Sequence, residues 1–348
     1  MKKKLLFLAV ITIFFGGKIF TQSNTFQQNR NQLVTETDPV LEEKVRLIIT
    51  EGLNNPNIIT EIENNTTQFF SIMENAIVES NTPDLEYLKI SSEAVRTLLA
   101  MWKTSAIAPP VKDVERKCLV RPQGGYQIRD IPIIMLEAPE KDKNQSLVIN
   151  FTSEGVIDDI FIAVHGIVDF YEQNENVKDF IRKQRILDLV ERFRTAYNMK
   201  DVDFLEKIFS NNALIITGKV IKEKPNSDQV LTNNLTTERI EYITQTKEQY
   251  LKKLRLIFNM IKYINVVFED IEVSKHTKFP EIYGVNLKQK WNASNYSDEG
   301  FLFLMIDFKD DNEPLVQIRA WQPLTFNGRA LKPEEKFRTT SFGEIRGR

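Results

Sequence analysis

The sequence predicts an α+β fold: a cone-shaped, curved antiparallel sheet wrapped around helices, and it predicts that plan twice. Over about 177–323, long amphipathic helices come first and four consecutive strand-like runs follow. Residues 39–170 show the same sense of order, helices and then a four-strand end. Neither half is interrupted by a Gly-rich phosphate loop or a metal-ligand cluster, so the architecture is that of a binding cup rather than a nucleotide or metal fold.

The N-terminus is different in kind. Lys2, Lys3 and Lys4 precede an apolar run over 5–15, closed by Gly16 and Gly17. That pattern reads as a secretory signal over residues 1–22, with cleavage expected near Thr21 or Gln22. An uncleaved anchor is the alternative, and the shortness of the run stands against it, because a span needs about 20 apolar residues. Residues 23–38, rich in Gln, Asn and Thr, read as a flexible spacer.

From Pro39 the pattern is helical. Ile62, Phe69, Met73, Ala76 and Ile77 share one face of a helix expected over about 57–79. Thr82 followed by Pro83 predicts the start of a second helix that runs to about 103, with Leu85, Leu88, Val95, Leu98, Leu99 and Trp102 at helical spacing. Strands are expected at about 112–121, 125–137, 145–152 and 156–164. Gly124-Gly125, the polar run 140–144 and Ser153-Glu154-Gly155 serve as the turns. No strand is evident ahead of the helices. Cys118 is the only cysteine and falls within apolar alternation, which places it in the core.

In the second unit, 177–323, the first helix buries Ile186, Leu189, Val190, Phe193 and Tyr197. A short helix at about 202–209 precedes a strand at 213–218, and 219–240 reads as a polar, mobile loop. Thr246 with Gln249 predicts a capping box opening a helix to about 263, with Tyr250, Leu254, Ile257, Phe258 and Ile261 on one face. Closing strands are expected at about 264–274, 281–292, 300–309 and 314–322, followed by a polar tail, 324–348, without periodicity.

This helix–helix–strand–helix–four-strand order, with ALIITG at 213–218 and YGVNLKQKWN…YSDEGFLFLMIDF…PLVQIRAWQP over 283–323, resembles the nuclear transport factor 2-like superfamily. That group includes ketosteroid isomerase-like and polyketide cyclase-like proteins and many secreted bacterial ones. The resemblance covers about 178–323. It extends more loosely to 40–165 through three helices and a matching four-strand end, which implies a divergent tandem copy; a different α+β domain is the alternative. It also implies a cup that holds an Asp, His or Tyr where the member is catalytic, and sheets that pack together in dimers.

Charge and side-chain chemistry narrow the function classes. The net charge is −2, and without residues 1–22 the chain holds 42 basic against 48 acidic groups, a net of −6. The cations are scattered among acids, which argues against nucleic acid as a partner. One cysteine and two distant histidines do not make a zinc site, and HExxH, CxxC and Gly-x-Ser-x-Gly do not occur, so no metal or cofactor is expected.

Strand alternation places Tyr283, Val285, Leu287, Gln289 and Trp291 on one face. Alignment across 293–299 puts Phe301, Phe303, Met305, Asp307, Val316, Ile318 and Ala320 beside them on the concave side. Gln289 and Asp307 are polar exceptions there, so with Tyr197, Tyr283 and Trp291 they form the expected ligand wall. Placement of both at the rim, or bonded to backbone, is the purely structural alternative. The other face carries Leu302, Leu304, Ile306, Arg319 and Trp321 and is expected to be an interface. Its cover would be the N-terminal unit, as an intrachain pseudo-dimer, or a second chain, as a homodimer. Arg319 beside Trp321 suits a stacked contact or a carboxylate site. Asp307 and His276 are the acid–base candidates.

These expectations converge on an exported protein, periplasmic or extracellular, with no stable membrane span once the signal is removed. It would act as a noncatalytic binding or assembly module of the bacterial envelope, its partner a small ligand or an envelope protein. A small-molecule isomerase or cyclase, with an acid–base group inside the cone, is the alternative. A structural subunit with side-chain-filled cups is the third.

Overall fold

The computed structural model describes residues 44–164, 177–222, 238–326 and 329–342. The expected signal and spacer, His165 and most of the expected polar loop lie outside them.

The first unit runs β1 (Arg46–Glu51), α1 (Pro56–Val78), α2 (Ser92–Thr104), β2 (Ile107–Ala108), β3 (Asp113–Val120), β4 (Tyr126–Met135), β5 (Asn144–Phe151) and β6 (Ile157–Ile162). Its sheet order is β1-β3-β4-β5-β6, with β2 added to β4. The four expected strands are present. The leading strand β1 was not foreseen: its run Leu47-Ile48-Ile49-Thr50 is mostly β-branched, and it pairs in parallel with β3. The second helix also starts later than Pro83. Asp84 closes a local turn on the Glu86 N–H at 3.1 Å, and Ile157 and residues 89–91 exchange backbone bonds. Ser91 then caps α2 by accepting from the Ala94 N–H at 3.1 Å.

Phe69, Phe70 and Met73 of α1 and Leu98, Met101 and Trp102 of α2 pack with Ile128, Ile149, Phe151 and Ile160 of the sheet. Asn65 is buried among them yet satisfied, donating to the carbonyls of Lys89 (2.8 Å) and Gly155 (3.0 Å) and accepting from the Lys89 N–H. Cys118 is a buried free thiol, pushed up to about 11 by burial.

The second unit runs α3 (Val177–Asn198), α4 (Val202–Ile208), β7 (Phe209–Lys222), β8 (Glu238–Thr246), α5 (Lys247–Met260), β9 (Ile264–Lys275), β10 (Ile282–Ala293), β11 (Ser297–Asp307) and β12 (Leu315–Pro323). The sheet order is β8-β7-β12-β11-β10-β9, antiparallel except for the parallel β12–β7 pair. β7 and β8 reach into the region expected as a loop. The first unit diverges from the second in topology. Its leading strand precedes both helices and joins the first strand of the meander, whereas β7 follows two helices and joins the last.

Both faces of the second sheet are covered within the chain. Helices α3, α4 and α5 fill the inner side with Phe193, Tyr197, Leu205 and Leu254. The tail is not featureless: after the hairpin β13 (Thr325–Phe326) and β14 (Arg329–Ala330), Phe337 and Phe342 pack on Phe303, Met305, Ile318 and Ala320. Helix α3 also lies against the first unit. Thr195 Oγ1 and Glu191 Oε1 accept from the N–H groups of Ile162 and Val164, both at 2.9 Å. Arg194 donates to Val266 O on one side and to Gln145 Oε1 on the other.

Candidate ligand-binding site

The register of β10 on β11 is odd on even: Tyr283 faces Ile306, Val285 faces Leu304, Leu287 faces Leu302 and Gln289 faces Gly300. On β12, Leu304 faces Arg319 and Leu302 faces Trp321. The expected sorting is therefore corrected by one residue. Leu302, Leu304, Ile306, Arg319 and Trp321 belong to the concave side with Tyr283, Val285, Leu287, Gln289 and Trp291. Phe303, Met305, Ile318 and Ala320 lie on the outer side beneath the tail. The cause is the hairpin: β11 begins at Ser297, and its polar first residues, Ser297-Asp298-Glu299, conceal three residues of strand.

The candidate residues separate accordingly. Asp307, on the outer side, accepts from the Lys309 N–H at 2.8 Å and from Gln317 Nε2 at 3.3 Å. His276, just past β9, uses Nδ1 to accept from the N–H groups of Lys278 and Phe279 and so fixes a turn. Tyr283 is inside but at the far end of the cone, where its hydroxyl donates to Asp179 and the Arg182 guanidinium lies 5.8 Å from its ring centroid. Tyr197, Gln289 and Trp291 converge at the other end. Asp307 and Tyr283 thus lie away from the site that these three share.

That end holds a cavity of about 350 Å³, within the range of small-molecule sites. Tyr250, Leu254 and Ile257 of α5 form one wall, Gln289 and Trp291 of β10 another, and Arg319 and Trp321 of β12 the floor. Tyr296 and Asp298 stand at the β10–β11 hairpin. Trp321 lies across two glycines on the neighbouring strands: a Cβ at Gly300 would come within 2.5 Å of its ring and one at Gly218 within 3.2 Å. Glycine at both positions lets the indole lie flat on the sheet.

Arg319 is 4% exposed and sits at the centre. Its Nε donates to Tyr197 Oη at 3.2 Å, its Nη2 to Gln289 Oε1 at 3.5 Å, and its guanidinium stands 5.2 Å from the Tyr250 ring centroid. Tyr197 and Tyr250 are joined hydroxyl to hydroxyl, and burial pushes the Tyr250 phenol well above its ordinary value. Arg319 Nη1 has no partner among the described residues, and neither has Trp321 Nε1. Asp298 Oδ2 accepts from the Tyr296 hydroxyl at 2.7 Å, while its Oδ1 is buried and unpartnered. Burial raises the Asp298 carboxyl; the Tyr296 bond and the Arg319 charge pull it the other way.

Sequence reasoning missed Asp298, Tyr296 and Tyr250 as site residues. The signal that could have found Asp298 was the alternation Asp298–Gly300–Leu302, continuous with the inner face once the strand is begun three residues earlier. A larger cleft of about 640 Å³ lies between the units, lined by Arg121, Asp188, Arg192 and Lys207. There Arg192 pairs with Asp159, and Arg121 stands 3.7 Å and 3.8 Å from Asp158 and Asp188. Arg185, on the same cleft, also keeps an unpartnered Nη1; the cone cavity differs in that its guanidinium is 4% exposed and forms no ion pair among the described residues.

No protein-family model and no curated protein matches the chain. Solved structures do. An NTF2-like protein from Cytophaga hutchinsonii is 16% identical, with a TM-score of 0.29 over 43% of this chain and 99% of that one. A protein with a cystatin-like fold from Caulobacter vibrioides is 10% identical, with a TM-score of 0.29 over 43% of this chain and 90% of that one. Bd1075 from Bdellovibrio bacteriovorus is 10% identical, with a TM-score of 0.31 over 60% of this chain and 75% of that one. The structural neighbours of this chain thus include a protein described as NTF2-like and one described as having a cystatin-like fold.

Proposed function

We propose that the protein is an exported binding module whose C-terminal cone takes a small organic acid, with the acid group seated on Arg319. One observation carries this. A guanidinium buried beneath an apolar cavity keeps an unpartnered N–H group, and no carboxylate lies within salt-bridge distance of it among the described residues. Burying an ion without its counter-ion costs several kcal/mol, and the fork of an arginine matches a carboxylate in shape and charge. A ligand acid supplies what the protein withholds. Trp291, Trp321 and Tyr250 offer aromatic faces to the apolar body of such a ligand.

Binding is favoured over turnover because Asp307 and His276 lie outside the cavity and are engaged in turns and strand ends. The isomerase- or cyclase-type alternative draws on Asp298, a carboxyl raised by burial at the cavity. Export rests on Lys2–Lys3–Lys4 and the apolar run that follows.

Calorimetric titration with indole-3-propionate and with its primary amide tests the acid seat. The acid is expected to bind and the amide not. Arg319→Met should weaken the acid by at least about 30-fold, the loss of a buried charge-assisted pair. Equal binding of acid and amide, or an indifferent Arg319→Met, would overturn the assignment. Consumption of the probe during titration would favour the enzyme. A full-length tagged protein that remained cytoplasmic at its unprocessed mass would end the export proposal.

A further inference from the structure

We infer that the ligand of the cone is a zwitterion, an amino-acid-like molecule that brings a protonated amine to Asp298 as well as a carboxylate to Arg319. This rests on the Arg319 reading above and adds the second charge.

Three residues that line this one cavity each keep a buried side-chain atom without a partner among the described residues: Arg319 Nη1, Trp321 Nε1 and Asp298 Oδ1. Two are donors and one is an acceptor, and Arg319 and Asp298 carry opposite charges, so neither a plain anion nor a plain cation matches them. A plain carboxylate would accept from Arg319 and Trp321 but would leave Asp298 Oδ1 facing a second anion. A plain amine would satisfy Asp298 and leave a cation beside Arg319. A phosphate dianion would bring still more negative charge toward Asp298. A molecule with separate carboxylate and ammonium groups satisfies all three atoms and leaves the site electrically neutral, which is the condition for burying charge at low cost.

Each charge is held by its own partners. Arg319 is fixed by Tyr197 and Gln289 on the cavity floor, and Asp298 is fixed by Tyr296 at the hairpin. They still sense each other electrostatically, since Arg319 lowers the Asp298 carboxyl. The ligand's body would then lie against Trp291 and Trp321.

The test is a crossover in calorimetric titrations. Tryptophan, phenylalanine and leucine are compared with indole-3-propionate, 3-phenylpropionate and 4-methylpentanoate, which lack only the amine. Each is titrated into the full chain as wild type, Asp298→Asn and Arg319→Met, with thermal melts confirming that the variants are folded. At least one amino acid is expected to bind tenfold or more tighter than its deaminated partner in the wild type. Asp298→Asn should reverse that order, because the amine loses its counter-charge and the acid loses a neighbouring anion. Arg319→Met should weaken both. If the deaminated acids bind as tightly as the amino acids and Asp298→Asn leaves their order unchanged, the zwitterion is refuted while the carboxylate seat stands. If neither series binds the wild type, or Arg319→Met changes nothing, both readings fall together.

Discussion

At the scale of single residues, the cavity depends on what Gly300 lacks. A Cβ there would lie 2.3 Å from Gln322 O and 2.5 Å from the Trp321 ring, and neither the strand nor a ring held against the sheet can yield cheaply. Gly300→Ala should therefore displace the indole and cost about 1–3 kcal/mol, the usual penalty of overpacking. The denaturant midpoint should fall at constant slope, and binding of the probe acid should weaken with it; an unchanged midpoint would mean that the floor is softer than its contacts imply. Much of this site was legible one residue at a time. Gln289 and Trp291 were placed on the inner face, where the pairing puts them, and Arg319 was read as an interface residue, suited to a stacked contact or a carboxylate site, but on the opposite face. The error came from Ser297-Asp298-Glu299, which carry strand geometry with loop chemistry. A slip of one residue exchanges every side chain between faces. Composition does not encode where a hairpin turns, so the face had to be read from the pairing itself.

At the scale of elements, the strongest local signals held. Thr246 Oγ1 accepts from the Gln249 N–H at 3.3 Å, and Gln249 Oε1 accepts from the Thr246 N–H at 3.1 Å, the reciprocal pair that the sequence announced. Thr246→Ala should cost about 1 kcal/mol in thermal or chemical unfolding, since the Gln249 N–H at the start of α5 loses its acceptor. Helix α3 carries a different kind of information. The inner pattern Ile186, Val190, Phe193 and Tyr197 was plain, but the role of Glu191 and Arg194 was not, because a charged stripe ordinarily faces water. Here it faces the first unit. Burial pushes the Glu191 carboxyl up to about 7, against Arg129 and the Val164 N–H, which pull it down. The folded protein then keeps a proton between roughly pH 4.5 and 7 that the unfolded chain has released. Because the folded state binds more protons there, stability falls as pH rises through the window. The free energy of unfolding from denaturant titrations should be higher at pH 5 than at pH 8 by up to roughly 3 kcal/mol from this group, at about 1.4 kcal/mol per unit. Glu191→Gln should flatten that slope, whatever it does to absolute stability, and a slope unchanged in the variant would place the titration elsewhere.

At the scale of the whole molecule, both sheets need cover on two faces, and the chain finds that cover in places its order does not advertise. Two apolar faces on one sheet are visible in the sequence as Leu302, Leu304 and Ile306 alternating with Phe303 and Met305, which requires a second layer. What supplies it was not visible, because residues 324–342 are polar on average; Phe337 and Phe342 reach the sheet together with Thr339, buried against Gly284, and Lys336, over the Phe301 ring. Phe342 stacks on Phe303 at 5.5 Å between centroids with planes 16° apart. Gln322 fastens the crossing strand to the tail, accepting from the Phe337 N–H at 2.8 Å and donating to Glu335 O at 3.0 Å. Arg329 pairs with Glu335 and holds the turn that brings the aromatic rings back. The tail therefore covers the outer face of the sheet. Truncation after Lys332, or Phe337→Ser with Phe342→Ser, uncovers Phe303, Met305, Ile318 and Ala320 on a broad sheet surface. Removing two large side chains from their packing should cost about 3 kcal/mol or more. The exposed patch should also drive self-association. Light scattering coupled to size exclusion should show mass rising with concentration for these variants and not for the intact chain. A truncated protein of unchanged melting temperature and concentration-independent mass would show that the tail merely rests on the sheet.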